Sequence, residues 1–134
     1  MRYLLDTNIW ILYLKGGHPR LRERLEASER SAIVTCPVVW GELLYGARRY
    51  EKRSEREAKV DAVLSPLVCL PFDLPAARHY ARIRDELESA GTVIGGNDLI
   101  IASIALAHSL TVVTHNSSEF ARVPGLTVED WAAN

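Results

Sequence analysis

The stretch RYLLDTNIWILYLKGG, residues 2–17, changes periodicity part-way along. Arg2 to Leu5 is a brief apolar run that reads as a strand ending at Asp6. From Asn8 to Lys15 the apolar residues Ile9, Leu12 and Tyr13 fall at helical spacing, and Gly16-Gly17 stops the pattern. A strand that runs at once into a helix is the start of a strand–helix–strand unit, and the rest of the chain repeats the alternation.

Pro19 opens a second, charged helix through Leu25, and Ala32 to Thr35 gives another short strand. Pro37 stands where a first-turn proline belongs for a helix reaching about Tyr50. Ser54 and Glu57 form a capping-box pattern ahead of Val60, Val63 and Leu64. Val68 to Phe72 reads as a third strand. Asp73 can cap a helix from about Pro75 to Ala90, with Gly91 at its end. Asn97 is the expected cap of the next helix, Asp98 to His108, which is apolar nearly all round and so must be covered on most sides. Thr111 to Thr114 is a fourth strand and Leu126 to Val128 a possible fifth. Such alternation implies an α/β fold with a short, mostly parallel sheet and helices on both faces, because parallel strands need crossover connections. Neither a repeat nor a linker divides the chain, so residues 1–134 are expected to form a single domain. Ligands of such sheets bind at the carboxyl ends of the strands.

With 48% apolar and 25% charged residues and a formal net charge of -1, the composition excludes a disordered chain and a purely electrostatic nucleic-acid binder. The charge is unevenly placed: residues 1–84 hold 15 Arg/Lys against 10 Asp/Glu, whereas residues 85–134 hold one basic residue, Arg122, against seven acids. Cys36 and Cys69 have neither zinc-ligand spacing nor the number for a disulfide framework, and read as buried thiols of a reducing compartment. Asp6 interrupts the first apolar run too early for a signal peptide, and no stretch reaches the roughly 18 apolar residues of a membrane span. A cytoplasmic protein without membrane contact is expected.

The acids at the strand ends carry the chemistry. Asp6 ends the first strand, Asp98 opens the all-apolar helix, Glu42 lies inside PVVWGELLYGA, and Glu119 follows the fourth strand in HNSSEF. Each also has an ordinary reading as a cap, a helix-dipole partner or a solvated side chain. If they converge, repulsion is severe, since two unit charges ~5 Å apart at an effective dielectric of 20 cost about 3 kcal/mol. Protons or a cation must then offset it, and an all-oxygen cluster suits Mg²⁺ or Mn²⁺. Thr7, Asn8, Asn97, Thr114 and Asn116 stand beside these acids or in the loop after the fourth strand, as candidates to hold the carboxylates in place. A site of this kind fits phosphodiester hydrolysis.

Four motifs in register, LLDTN at 4–8, GELLYGA at 41–47, NDLIIA at 97–102 and VVTHNSSEFARVPGLTVEDW at 112–131, resemble those of PIN-domain ribonucleases, and among them the VapC toxins of bacterial toxin–antitoxin pairs. The resemblance covers essentially the whole chain. It implies a PIN-like three-layer sandwich, Mg²⁺- or Mn²⁺-dependent endoribonuclease activity on tRNA or ribosomal RNA loops, and a homodimer. It also implies a cognate VapB-type antitoxin that occupies the active site, with operator DNA bound only through the toxin–antitoxin complex. By position, Asp6 and Asp98 would be direct metal ligands and Glu42 would complete the acidic cluster. Asn116 stands where many PIN domains have an acid two residues after the threonine. The fourth catalytic position is therefore open between Asn116 and Glu119.

An acidic pocket needs basic residues at its rim to hold a polyanion. The run Arg48, Arg49, Lys52, Arg53 and Arg56, with Lys15 and Arg82, is the candidate RNA contact, against the plainer reading of a solvated helix face. Among the histidines, His115 lies in the loop after the fourth strand, where a structural role is the default and a substrate contact the sharper alternative. Two rival functions remain. An Asp-based phosphoryl-transfer domain fits poorly, because Asn8 stands where such phosphatases need a second Asp and no lysine follows Lys59. A catalytically inactive PIN-fold module that only binds a partner is disfavoured by the intact trio Asp6, Glu42 and Asp98.

Overall fold

A computed structural model describes residues 1–133 and places β1 at Tyr3–Leu5, all three side chains buried. The helix α1 (Thr7–Lys15) follows with no loop between, Asp6 serving as its N-cap. Gly16 and Gly17 both have positive φ, 83° and 93°, and the Gly16 N–H bonds Leu12 O at 3.0 Å, so the chain leaves the helix in a conformation other residues avoid. There follow α2 (Pro19–Ala27), a 3₁₀ turn (Arg30–Ala32), β2 (Ile33–Thr35), α3 (Pro37–Arg48), α4 (Arg53–Leu64) and β3 (Val68–Cys69). The remainder is α5 (Leu74–Ser89), α6 (Gly96–Ala107), β4 (Thr111–Val113), α7 (Ser117–Phe120) and β5 (Thr127–Glu129).

The strands form one sheet in the order β3-β2-β1-β4-β5, every pair parallel. From β1 the chain steps to β2 and β3 at one edge, then crosses back past β1 to β4 and β5. Right-handed crossovers, the rule for parallel strands, therefore set α1 to α4 on one face and α5 to α7 on the other. Most helix packing follows this division, α3 on α1 and α4 and α5 on α6, while α3 also touches α6 across it. Leu4, Leu5, Val34, Val112 and Val113 have no exposed surface, which is why these strands read as unbroken apolar runs instead of alternating ones. The all-apolar helix is α6, whose Leu99, Ile101, Ala102, Ile104 and Ala105 are buried. Its one buried hydroxyl, Ser103, donates to Leu99 O at 2.6 Å and so is not left unpaired.

Three local expectations are corrected. Gly95, not Asn97, is the N-cap of α6, and Asn97 lies exposed in the first turn. Lys52, in the left-handed region at φ 59°, precedes α4, so Ser54 sits inside the helix and no capping box forms. Glu57 reaches Arg48 at 4.0 Å instead. The third strand is cut to two exposed residues at the sheet edge, where Pro71 offers no N–H to continue the ladder, so Cys69 is exposed and of the two expected buried thiols only Cys36 is one.

Candidate active site

The chain reverses its direction of travel between β1 and β4, and the carboxyl ends of those two strands border the crevice where ligands of open α/β sheets bind. Asp6 lies at the end of β1, only 2% exposed. Its Oδ1 accepts the Ile9 N–H at 2.9 Å and its Oδ2 accepts the Thr114 hydroxyl at 2.5 Å. It is thus both the helix cap and a member of the acid group; the two readings of the sequence coexist. Burial raises its pKa to about 6, against the lowering effect of the Thr114 and Ile9 hydrogen bonds, and the charges of Glu42 and Asp130 add to the rise.

Asp98 occupies the first turn of α6, whose N-terminus reaches the same rim because α6 runs back along the sheet into β4. Burial raises its pKa to about 6, reinforced by the charges of Glu119, Asp6 and Glu42. Glu42, half-buried on α3, accepts the Thr7 hydroxyl at 2.6 Å. Glu119, on α7, accepts the Gly95 N–H at 2.7 Å through Oε1 and the Asn116 side-chain amide at 2.6 Å through Oε2. The Gly95 hydrogen bond leads in lowering its pKa. A β-carbon placed on Gly95 would lie 3.7 Å from Glu119 Oε1 and 3.8 Å from Asp98 Oδ2, so these two carboxylates flank one gap.

Asn116 and Glu119 are therefore hydrogen-bonded neighbours beside Asp98. The Asn116 backbone N–H bonds Thr114 Oγ1 at 2.9 Å, so one threonine hydroxyl joins the loop to Asp6. Of the proposed supporting residues, Thr7 and Thr114 hold acids. Asn8 and Asn97 are exposed, and neither side chain hydrogen-bonds an acid among the described residues. Two contributors escaped sequence reading: the Gly95 backbone N–H and Asp130, whose charge acts on Asp6. The DW pair in the quoted tail was visible, but only the β4–β5 pairing brings it to the rim.

Thr114→Val keeps the shape and removes both the donor to Asp6 and the acceptor for Asn116. The expected result is a loss of about 1–3 kcal/mol in urea unfolding at neutral pH, with the Asp6 pKa rising further. Carboxylate titration by NMR reads the second effect.

Beside Glu42 opens a groove of about 720 Å³ between α1, α3 and α4, with Lys15, Lys52, Arg56 and Lys59 on its walls. Of the expected basic run, Lys52 and Arg56 line it. Arg48, Arg49 and Arg53 do not: Arg48 faces Glu57, and Arg49 lies over the Tyr45 ring, 5.9 Å from its centre. Arg82, on α5, pairs with Glu86 at 3.5 Å.

Among the described residues, no three His, Cys, Asp or Glu side chains stand close enough to enclose a metal ion. The oxygen-only set at Asp6 and Asp98 nevertheless fits a hard divalent cation that keeps most of its waters, which Mg²⁺ does when held by one or two carboxylates. Both acids have raised pKa values that a bound cation would reverse.

A PIN domain is matched over residues 3–126. The chain is 39% identical over 133 residues to ribonuclease VapC2 of Rickettsia felis, covering 98% of each sequence. It is 37% identical over 131 residues to the tRNA(fMet)-specific endonuclease VapC of Salmonella typhimurium, again 98% of each. Among solved structures, it superposes on a chain of DNA-bound VapBC from Salmonella typhimurium with a TM-score of 0.91 at 37% identity, covering 98% of both chains. For VapBC2 from Rickettsia felis bound to a promoter DNA fragment the TM-score is 0.87 at 39% identity, with 98% of this chain and 99% of that one covered. By motif order, sheet topology and full-length similarity, the chain belongs to the PIN-domain family and, within it, to the VapC ribonucleases.

Proposed function

We propose that this chain is the toxin of a toxin–antitoxin pair, an endoribonuclease that hydrolyses phosphodiester bonds in tRNA or ribosomal RNA loops with Mg²⁺ or Mn²⁺ held at Asp6 and Asp98. The observation that carries the reading is the pair Asp6 and Asp98 at the sheet's reversal point, both pushed up to about 6 by burial and by neighbouring acids. Burying these acids beside one another costs folding energy, which a bound cation would offset.

Bound there, a divalent cation would polarise the phosphate and activate the attacking water. The chain's own residues do the rest. Thr114 and the Ile9 N–H fix both oxygens of Asp6. Thr7 occupies Glu42 Oε1, leaving Oε2 to take the proton released as water adds to phosphorus and to return it to the sugar oxygen as the bond from phosphorus to that oxygen breaks. Glu119, anchored by Gly95 and Asn116, adds negative field beside Asp98 and helps retain the cation.

The two solved relatives described above are VapBC complexes, both with DNA. We extend this to a cognate VapB-type antitoxin for the present chain, to operator contact through that complex, and to a homodimer. No helix among the described residues is long and apolar enough to cross a membrane, and we place the protein in the cytoplasm as one PIN-like domain.

The groove beside Glu42 is the proposed RNA track, with Lys15, Lys52 and Arg56 on the phosphates. Lys52→Glu combined with Arg56→Glu is expected to weaken RNA binding and flatten its salt dependence by about 1.4 in log–log slope, roughly 0.7 for each phosphate that is no longer neutralised. Arg49→Glu with Arg53→Glu should change the slope less. Equal effects of the two pairs in a salt series would rule out the groove as the RNA track.

The functional reading is tested by expressing the chain alone, beside Asp6→Asn and Asp98→Asn, while growth and RNA integrity are followed. Growth arrest with RNA cleavage in the wild type only is expected. Arrest that persists in both variants would instead identify a binding module without catalysis.

A further inference from the structure

His115 leaves β4 between two residues that hold the acids: Thr114, which donates to Asp6, and Asn116, which donates to Glu119. Its Nδ1 lies 3.0 Å from Asp130 Oδ2 and 3.2 Å from Oδ1. Asp130 is itself fixed, since its Oδ1 accepts the Ala132 N–H at 2.9 Å and the adjacent Trp131 is buried edge-on against Tyr3. The β4–β5 register pairs Val113 with Glu129, and the Thr114 N–H continues it to Glu129 O at 3.0 Å. Asp130 is thereby set across from Thr114, on the strand end next to Asp6. The His115 side chain is 50% exposed against 19% for Asp130: an open ring on a sheltered anchor.

The chemistry of this pair is directional. A carboxylate only accepts, so Nδ1 carries its proton toward Asp130, and in the neutral ring Nε2 keeps a lone pair. Phosphate oxygens are acceptors too and cannot satisfy that lone pair. A ribose 2′-hydroxyl can, and it is the group that separates RNA from DNA. We infer that His115 is a substrate-binding residue whose Nε2 accepts a hydrogen bond from a ribose 2′-hydroxyl beside the cleaved phosphate, with Asp130 as its positioning residue. The pair thus gives the site part of its preference for RNA over DNA. This inference rests on the ribonuclease reading and adds a sugar-selectivity determinant to it.

The test uses binding, so that it does not depend on turnover. In the full-length Asp98→Asn chain, affinity is measured by fluorescence anisotropy at about pH 8 for a labelled RNA hairpin and its all-deoxy counterpart. The expected result is RNA bound about five- to tenfold more tightly than DNA, the scale of one hydrogen bond. His115→Ala should weaken RNA binding severalfold, toward the DNA level, and leave DNA unchanged. Asp130→Asn should narrow the preference, with no further effect once His115 is Ala. A thermal melt of His115→Ala unchanged from its parent separates the contact from a folding defect. An intact RNA preference in His115→Ala, or equal loss on RNA and DNA, overturns the assignment. If the wild type fails to cleave RNA while the preference and its loss hold, the nuclease reading fails and the sugar contact stands.

Discussion

Asp98→Asn is expected to cut RNA cleavage about a thousandfold or more and, in the metal-free protein, to raise thermal stability near neutral pH. The first effect follows from removing one of two proposed cation-holding carboxylates, because about 4 kcal/mol of lost charge stabilisation in the transition state corresponds to three orders of magnitude. The second follows from linkage. The pKa of Asp98 is raised from 3.8 to about 6 in the folded chain, so folding favours its protonated form. The resulting stability is fully present below the unfolded value near 3.8 and is lost as pH climbs through about 6. Asn, which never ionises, escapes that loss and should melt at a higher temperature than wild type near pH 8 and at nearly the same temperature near pH 4.

Asp6 obeys the same sign, since it is nearly inaccessible and also rises from 3.8 to about 6. Two pKa units amount to about 3 kcal/mol at most. Asp6→Asn recovers less than that, because the Ile9 N–H and the Thr114 hydroxyl bond different oxygens of Asp6 and an amide puts an NH2, which only donates, in place of one of them. Added Mg²⁺ should raise the melting temperature of wild type near pH 8 and leave both Asn variants nearly unmoved. Melts of the three proteins with and without Mg²⁺ check all of this in one series, and a wild type most stable at alkaline pH without metal would contradict it.

Phe120→Ala is the second large effect. Phe120 has no exposed surface and sits on α7, the single turn that also carries Glu119. Truncating a buried aromatic costs about 3–5 kcal/mol, a large share of the 5–15 kcal/mol typical of a whole domain. Because α7 has only four residues, its position depends on this anchor and not on its own hydrogen bonds. The variant should therefore unfold at lower urea and lose cleavage before it loses its secondary structure, as Glu119 drifts from Gly95. Val93→Ala, at a side chain 59% exposed, should shift unfolding by about 0.5 kcal/mol or less. Urea titrations followed by far-ultraviolet circular dichroism and by activity separate the two readouts.

What the sequence disclosed is what short-range physics controls. The change of period after Asp6 placed β1 and α1, the apolar circumference of α6 required its burial, and Asp73 marked the start of α5, whose Ala76 N–H it accepts at 3.2 Å. The position of Asp6 at one rim with the loop that leads to Glu119 followed from strand-end geometry, while Asp98 was marked only as the acid that opens the apolar helix. What stayed hidden depends on contacts between distant residues. Thr114 and Asp6 lie 108 residues apart in sequence, Thr7 and Glu42 35, and Gly95 and Glu119 24. Local patterning carries no trace of which of these will meet.

The failures have the same origin. Asn97 is a good cap in isolation, but Gly95 takes the cap and aims its N–H at Glu119, so the site outweighs the local preference. Arg48, Arg49 and Arg53 look like one basic face with Lys52 and Arg56, yet α3 ends at Arg48 and the turn before α4 sends them away from the groove. The uneven charge along the chain is resolved by folding: acids from both halves gather at one rim, and basic residues of the first half line the adjacent groove.

The most direct measurement is cleavage of bacterial total RNA by the purified chain, freed of any antitoxin, with Mg²⁺ or Mn²⁺ and again with a chelator. Discrete fragments are expected with either ion, intact RNA with the chelator, and intact RNA with Asp98→Asn under every condition. Undiminished cleavage by Asp98→Asn or in the chelator, or intact RNA throughout, would contradict metal-dependent hydrolysis at this site.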